Sequence, residues 1–150
     1  MENRMKKDPR WIPEEEFDAI YTRVPRLTVE LLVRTPKGVA LTKRSIEPCK
    51  GQWHLPGGTV YFGETLIGAA KRVAMNELGV EINIGKQVGY LEYPLMNKAG
   101  YKGWPVGVEF EVTIVSGDIT GSHQGEEVGF FNEIPPNTVA DQAKFLVDLM

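Results

Sequence analysis

One segment constrains the fold of this chain more than any other. Across Thr65–Leu78, the residues Ile67, Ala70, Ala74 and Leu78 recur at helical spacing, and Gly79 follows directly. The spacing predicts an amphipathic helix, and Gly79 is placed to end it in a left-handed cap. A helix with one apolar stripe must bury that stripe, and the surrounding chain supplies strands for it. Leu27–Val33 and Val39–Lys43 flank the turn Thr35-Pro36-Lys37-Gly38 and read as a hairpin. Val80–Ile84, Val88–Tyr93, Val106–Val115 and Val128–Phe131 read as further strands, with 94–105 and Ser116–Glu127 as polar loops. Pro13 and the run Glu14, Glu15 and Glu16 open an N-terminal helix that carries Phe17, Ile20 and Tyr21 and stops before Pro25. Pro135-Pro136-Asn137 sets up a last helix with Val139, Leu146 and Leu149 on its apolar side. No repeat or linker interrupts the chain. The pattern predicts one α+β domain over 1–150, a mixed β-sheet sandwiched between helices (an α/β/α sandwich), with residues 1–10 frayed.

Composition narrows the class. The 150 residues are 42% hydrophobic and 25% charged, which fits a globular core and excludes disordered and fibrous chains. No apolar run reaches the ~18–20 residues that span a bilayer, so no membrane partner is expected. Seventeen Lys and Arg against twenty Asp and Glu leave a net charge of −3 and no basic field to draw nucleic acid. The first residues carry charge rather than an apolar leader, and the single Cys49 excludes an internal disulfide framework; a cytoplasmic setting is the expectation.

Chemistry concentrates between residues 53 and 80. Arg44–Gly58 reads as a long loop anchored by Trp53, and Gly57 and Gly58 let backbone approach a metal or phosphate closely. On the helix, residues 72, 73, 76 and 77 lie on roughly one side, with Ile67, Ala70, Ala74 and Leu78 on the other. Glu77 on that polar side can hold Mg²⁺, which prefers carboxylate oxygens, water and substrate phosphates. Arg72 either binds phosphate or pairs with Glu64 or Glu77.

Gly58, Glu64, Arg72, Glu77, Gly79 and Val80 fall without a gap on G-x5-E-x7-R-E-U-x-E-E-x-G-U, and Trp53, Pro56 and Gly57 precede it. This resembles the signature of the Nudix hydrolases and implies their fold, a divalent cation (Mg²⁺, with Mn²⁺ able to substitute) and a small nucleotide derivative as substrate. Val73 and Asn76 stand where that signature has glutamates. The run Arg72-Val73-Ala74-Met75-Asn76-Glu77-Leu78-Gly79 is similar to the altered box of the GDP-mannose mannosyl hydrolases, which implies one cation, attack at sugar carbon and a homodimer. By that resemblance the Gly57 carbonyl, Glu77 and Gln124 ligate the metal, with Glu64 as a further candidate. Arg44 contacts the diphosphate, and Glu30 and Tyr93 fall at substrate-binding positions. Three features do not transfer: the loop histidine aligns with Gly125, an arginine is replaced by Thr59, and a histidine by Tyr93. His123 is then the candidate general base, with Glu126 and Glu127 as rivals for base or metal and His54 as a packing residue. The expected activity is hydrolysis of a GDP-sugar to GDP and sugar. Phosphorus attack on a nucleotide sugar or triphosphate, and a nucleotide-binding module without catalysis, are the alternatives.

Overall fold

A computed structural model describes residues 8–119 and 127–150. Pro13 precedes α1, Glu14–Tyr21, whose three first-turn glutamates face the positive end of the helix dipole. β1, Arg26–Thr35, and β2, Gly38–Lys43, form the expected antiparallel hairpin. The Arg44–Gly58 segment, expected as loop, contains two short strands: β3, Trp53–His54, on β2, and β4, Gly57–Thr59, on β1. α2, Leu66–Leu78, follows. Thr65 is its cap rather than its first residue, with a side chain that accepts from Gly68 N–H at 3.0 Å, and Gly79 ends it at φ 69°.

Beyond α2 the chain departs from expectation twice. The strands expected at Val80–Ile84 and Val88–Tyr93 are one strand, β5, Glu81–Glu92, whose register shifts between Ile84 and Lys86 and again between Gln87 and Gly89. Bulges absorb the polar middle of the segment instead of breaking the strand. The 94–105 stretch holds a short helix, α3, Pro94–Lys98. Its first N–H groups are satisfied from a distant element, Leu95 and Met96 donating to the two Asp141 carboxylate oxygens at 3.2 and 3.0 Å. β6, Pro105–Ser116, β7, Val128–Phe131, and α4, Ala140–Leu146, complete the described chain.

The strands form one mixed sheet ordered β3-β2-β1-β6-β5, with β4 also on β1 and β7 on β2; β1 and β6 are parallel and the other pairs antiparallel. Alternation along β1 divides the core. Val29, Leu31 and Val33 join Ala69, Ala70, Val73, Ala74 and Leu78 of α2 on one face. Leu32 joins Leu41, Leu55 and Leu146 on the face covered by α4. The α/β/α layering expected from the sequence is present. The apolar stripe of α2 is rotated from its expected position, since Ile67 is 50% exposed while Val73 is 2% exposed. The reason is β4. A side chain on Gly58 would start 3.1 Å from Val73 Cγ2, so the glycine strand and the Val73 face of the helix close on each other. No helix among the described residues is long and apolar enough to cross a membrane.

Candidate functional site

β4, the turn after it and α2 are joined by one side chain. Arg72 Nε and Nη2 donate to Glu64 Oε2 and Oε1 at 2.7 and 2.9 Å, and Nη2 also donates to the Thr59 carbonyl at 2.7 Å. Its guanidinium carbon lies 3.9 Å from the centroid of the Tyr61 ring. Glu64 Oε1 accepts a further bond from Tyr61 N–H at 3.1 Å. Burial pushes the Glu64 carboxyl up, but the Arg72 and Tyr61 hydrogen bonds outweigh it and hold the group below its ordinary value. Of the two ion pairs open to Arg72 from sequence, the structure forms the one with Glu64. Both carboxylate oxygens of Glu64, expected among metal ligands, are turned to Arg72 and Tyr61, and Glu64 does not line the adjoining cleft.

That cleft has a volume of ≈ 680 Å³ and runs between α1, β4 and α2. Gly57 and Glu77 both line it, as do Arg44, Asn76 and Arg72. A smaller pocket of ≈ 130 Å³ adjoins it at Gly57 and Gly58 and reaches the buried Glu30, Tyr93 and Gln142 side chains. Arg26, Arg44, His54, Gly57, Gly58 and Tyr101 line both. The loop after β2 positions Arg44 by closing on itself. Gly51 N–H donates to the Arg44 carbonyl at 2.7 Å, Arg44 N–H to the Gln52 carbonyl at 2.8 Å, and Arg44 Nε to the Pro48 carbonyl at 2.6 Å. His54 is held by its neighbours: Nδ1 donates to the Leu55 carbonyl at 2.9 Å, and Nε2 lies 3.2 Å from Thr42 Oγ1.

The end of the inner pocket is a polar chain. Leu55 N–H donates to Gln142 Oε1 at 2.6 Å, Gln142 Nε2 donates to the Tyr93 hydroxyl at 2.8 Å, and that hydroxyl donates to Glu30 Oε1. Burial first, and then the charges of Glu30 and Glu109, push the Tyr93 phenol well above its ordinary value, so it stays a donor. Glu30 Oε2 has no hydrogen-bond donor. Directly across the parallel register from Glu30 stands Glu109, fully buried. Burial, and secondly Glu30, push its carboxyl up to about 12, so Glu109 keeps its proton beside Glu30. Gly107 leaves room for both. A Cβ there would meet Glu30 Oε2 at 2.8 Å and Glu109 Oε1 at 3.1 Å.

The cleft therefore brings together Gly57, Glu77, Arg44 and Arg72 from the expected set, with Glu30 and Tyr93 on the connected inner pocket. Glu127 is elsewhere. Its side chain is 63% exposed and pairs with Lys43 at 3.5 Å, and it does not line the cleft. His123, Gln124 and Glu126 lie outside the described residues. Sequence reasoning did not single out Arg26, Gln142 or Glu109. Glu109 carried a usable signal, being a carboxylate inside a strand rich in Val.

The donor set fits a hard divalent cation. No group of three His, Cys, Asp or Glu side chains stands together among the described residues. A single Mg²⁺ needs only a carboxylate and a carbonyl when water and substrate oxygens supply the rest, and Glu77 and the Gly57 backbone are available on the same cleft.

Residues 24–146 match the NUDIX domain family. Over 91 residues, 61% of this chain, it is 43% identical to the low-salt glycan biosynthesis protein Agl8 of Haloferax volcanii, and the match spans 58% of that relative's length. It is 27% identical over 128 residues to an ADP-ribose pyrophosphatase of Methanocaldococcus jannaschii, covering 84% of this chain and 73% of the relative. Among solved structures, the MutT protein of Methanosarcina mazei Go1 superposes with a TM-score of 0.69 at 23% identity, covering 81% of this chain and 89% of that one, and so shares the fold. With the family match running from the first strand to the last helix, this chain belongs to the Nudix family.

Proposed function

We propose that the cleft hydrolyses a nucleoside-diphosphate derivative with one divalent cation, and that its substrate is a nucleotide sugar of the GDP-hexose kind. The observation that carries this reading is the joining of two cavities. An outer cleft holds Gly57, Glu77 and Arg44, and an inner pocket ends on the unsatisfied Glu30 oxygen. A diphosphate meets cations at the junction, while a hydroxyl-bearing ring finds an acceptor in Glu30. In this reading the Gly57 carbonyl and Glu77 hold Mg²⁺, or Mn²⁺ in its place. The bound cation neutralises charge on the diphosphate and on the departing group. Arg44 orients the diphosphate, Tyr93 and Gln142 fix the Glu30 carboxylate, and the Arg72–Glu64 pair keeps β4 and α2 in register. The base belongs to the segment between β6 and β7, where His123 is the candidate.

A second reading has support from the ADP-ribose pyrophosphatase relative, whose match covers most of this chain. There water attacks phosphorus, and the products are a nucleoside monophosphate and a sugar phosphate. A panel of GDP-, ADP- and UDP-sugars, ADP-ribose and nucleoside triphosphates, incubated with Mg²⁺ in ¹⁸O-water, separates the readings. Label in free sugar beside unlabelled GDP supports carbon attack. Labelled monophosphate or sugar phosphate supports the second reading, and no product with any compound overturns both in favour of a binding module.

A further inference from the structure

Two guanidinium groups in the cleft carry N–H groups that are buried and have nothing to bind. Arg26 Nη1 donates to Thr59 Oγ1 at 2.9 Å and Nη2 to the Tyr101 hydroxyl at 2.7 Å, and its Cζ lies 5.3 Å from the Phe17 ring centroid. Its Nε is buried without a partner. Arg44, held through Nε by the Pro48 carbonyl, has its Cζ 5.9 Å from the other side group of this cluster, the Tyr101 ring. Its Nη2 is likewise buried without a partner. Neither guanidinium has a carboxylate within ion-pair distance among the described residues, although Glu30 lines the same inner pocket. Arg72 differs, since Glu64 and Thr59 engage it.

Leaving a buried N–H of a guanidinium without an acceptor is unfavourable, and an anion that supplies the acceptor relieves it. Arg26, Arg44 and Tyr101 all stand where the cleft narrows into the inner pocket. We propose that Arg26 is a substrate-binding residue, and that with Arg44 it forms a second anion seat, separate from Gly57 and Glu77, for the far phosphate of a diphosphate ester. The inference rests on the reading of the cleft as a diphosphate-hydrolysing site. β4 advances about 3.3 Å per residue, which puts Thr59, the residue Arg26 leans on, roughly 7 Å along the strand from Gly57. A diphosphate can meet a cation at Gly57 with one phosphate and the guanidinium pair with the other. Planar forks suit two phosphate oxygens at once, and the Thr59, Tyr101 and Phe17 contacts already fix the plane of Arg26. A monophosphate fills only one seat, so the class selected is diphosphate esters.

The test is calorimetric titration of the protein, Arg26→Gln and Arg26→Lys with inorganic pyrophosphate and with inorganic phosphate, both with Mg²⁺, beside kcat and KM on the best compound of the nucleotide panel. The expected result is that Arg26→Gln weakens pyrophosphate binding about tenfold or more and flattens its salt dependence, while phosphate affinity changes little. KM rises by a similar factor and kcat stays within a few-fold of the parent. Pyrophosphate affinity and KM within about twofold of the parent in Arg26→Gln overturn the seat, as does a parent protein that binds no pyrophosphate. Should the Gln variant not fold, Arg26→Lys decides. It keeps the charge and loses the fork, so a loss of about threefold or more supports the seat and unchanged affinity overturns it. The two inferences fail differently. Weakened pyrophosphate binding in a protein that hydrolyses nothing leaves the seat and removes the hydrolase. Hydrolysis indifferent to Arg26 leaves the hydrolase and removes the seat.

Discussion

Arg72 grips both oxygens of Glu64, at 2.7 and 2.9 Å, across the turn that joins the glycine strand to the following helix. The two side chains are 14% and 6% exposed, so this is a buried pair, and removing one partner strands the other. Arg72→Ala is expected to cost about 3 kcal/mol in denaturant unfolding. Because Glu64 sits below its ordinary value, its contribution is present above about pH 4.5 and is lost as pH falls through the folded-state value. Acid unfolding should therefore begin at higher pH in the parent than stability at neutrality alone suggests, and Arg72→Ala should flatten that acid limb. An acid limb identical in both proteins would show that the pair does not set it.

Glu77 is the test of the metal reading. Glu77→Gln keeps shape and removes the charge, so activity on the best nucleotide substrate is expected to fall ~10²-fold or more, with a raised Mg²⁺ requirement. A metal titration of activity checks it. Activity within about threefold of the parent places the cation elsewhere.

The carboxylates absent from α2 should stay dispensable, for different reasons at the two positions. Val73 is 2% exposed and packs against Gly58, so Val73→Glu is expected to destabilise by several kcal/mol in thermal unfolding. Asn76 lines the cleft and is half-buried, so Asn76→Glu is expected to fold normally. Neither change should raise turnover of a nucleotide sugar. A large gain in triphosphate hydrolysis from Asn76→Glu would instead reveal a multinuclear site lacking one ligand.

Glu109 should make stability fall as pH rises. The folded carboxyl is pushed up to about 12, chiefly by burial, while in the unfolded chain it titrates near 4.5. Between those values the folded state holds a proton that the unfolded state has released, so stability is complete below the lower value and declines above it. Glu109→Gln keeps the shape of the side chain and cannot titrate. Comparing Tm of the two proteins from about pH 5 to about pH 9, the parent should lose ground steadily to the variant. Parallel curves would show that Glu109 ionises normally.

Several local elements of this protein follow from sequence alone. Helical spacing through Thr65–Leu78 with Gly79 behind it, the 27–43 hairpin and the paired glycines at 57 and 58 depend on neighbours a few residues away. The family signature lies within that same stretch, so Gly57, Glu77 and the Arg72–Glu64 pairing were within reach. Tertiary packing decided the rest. Which part of a broad apolar stripe faces the sheet depended on Gly58 meeting Val73, and so Ile67 was left half exposed. Arg26 reaches Thr59 and Tyr101 across 33 and 75 positions of chain, and nothing near it in sequence marks it as a cleft residue. Glu30 and Glu109 are ordinary strand carboxylates until the parallel register sets them side by side in the interior. A side chain's charge state and partners are set by whatever the fold brings within a few ångströms, and local patterns carry no record of that.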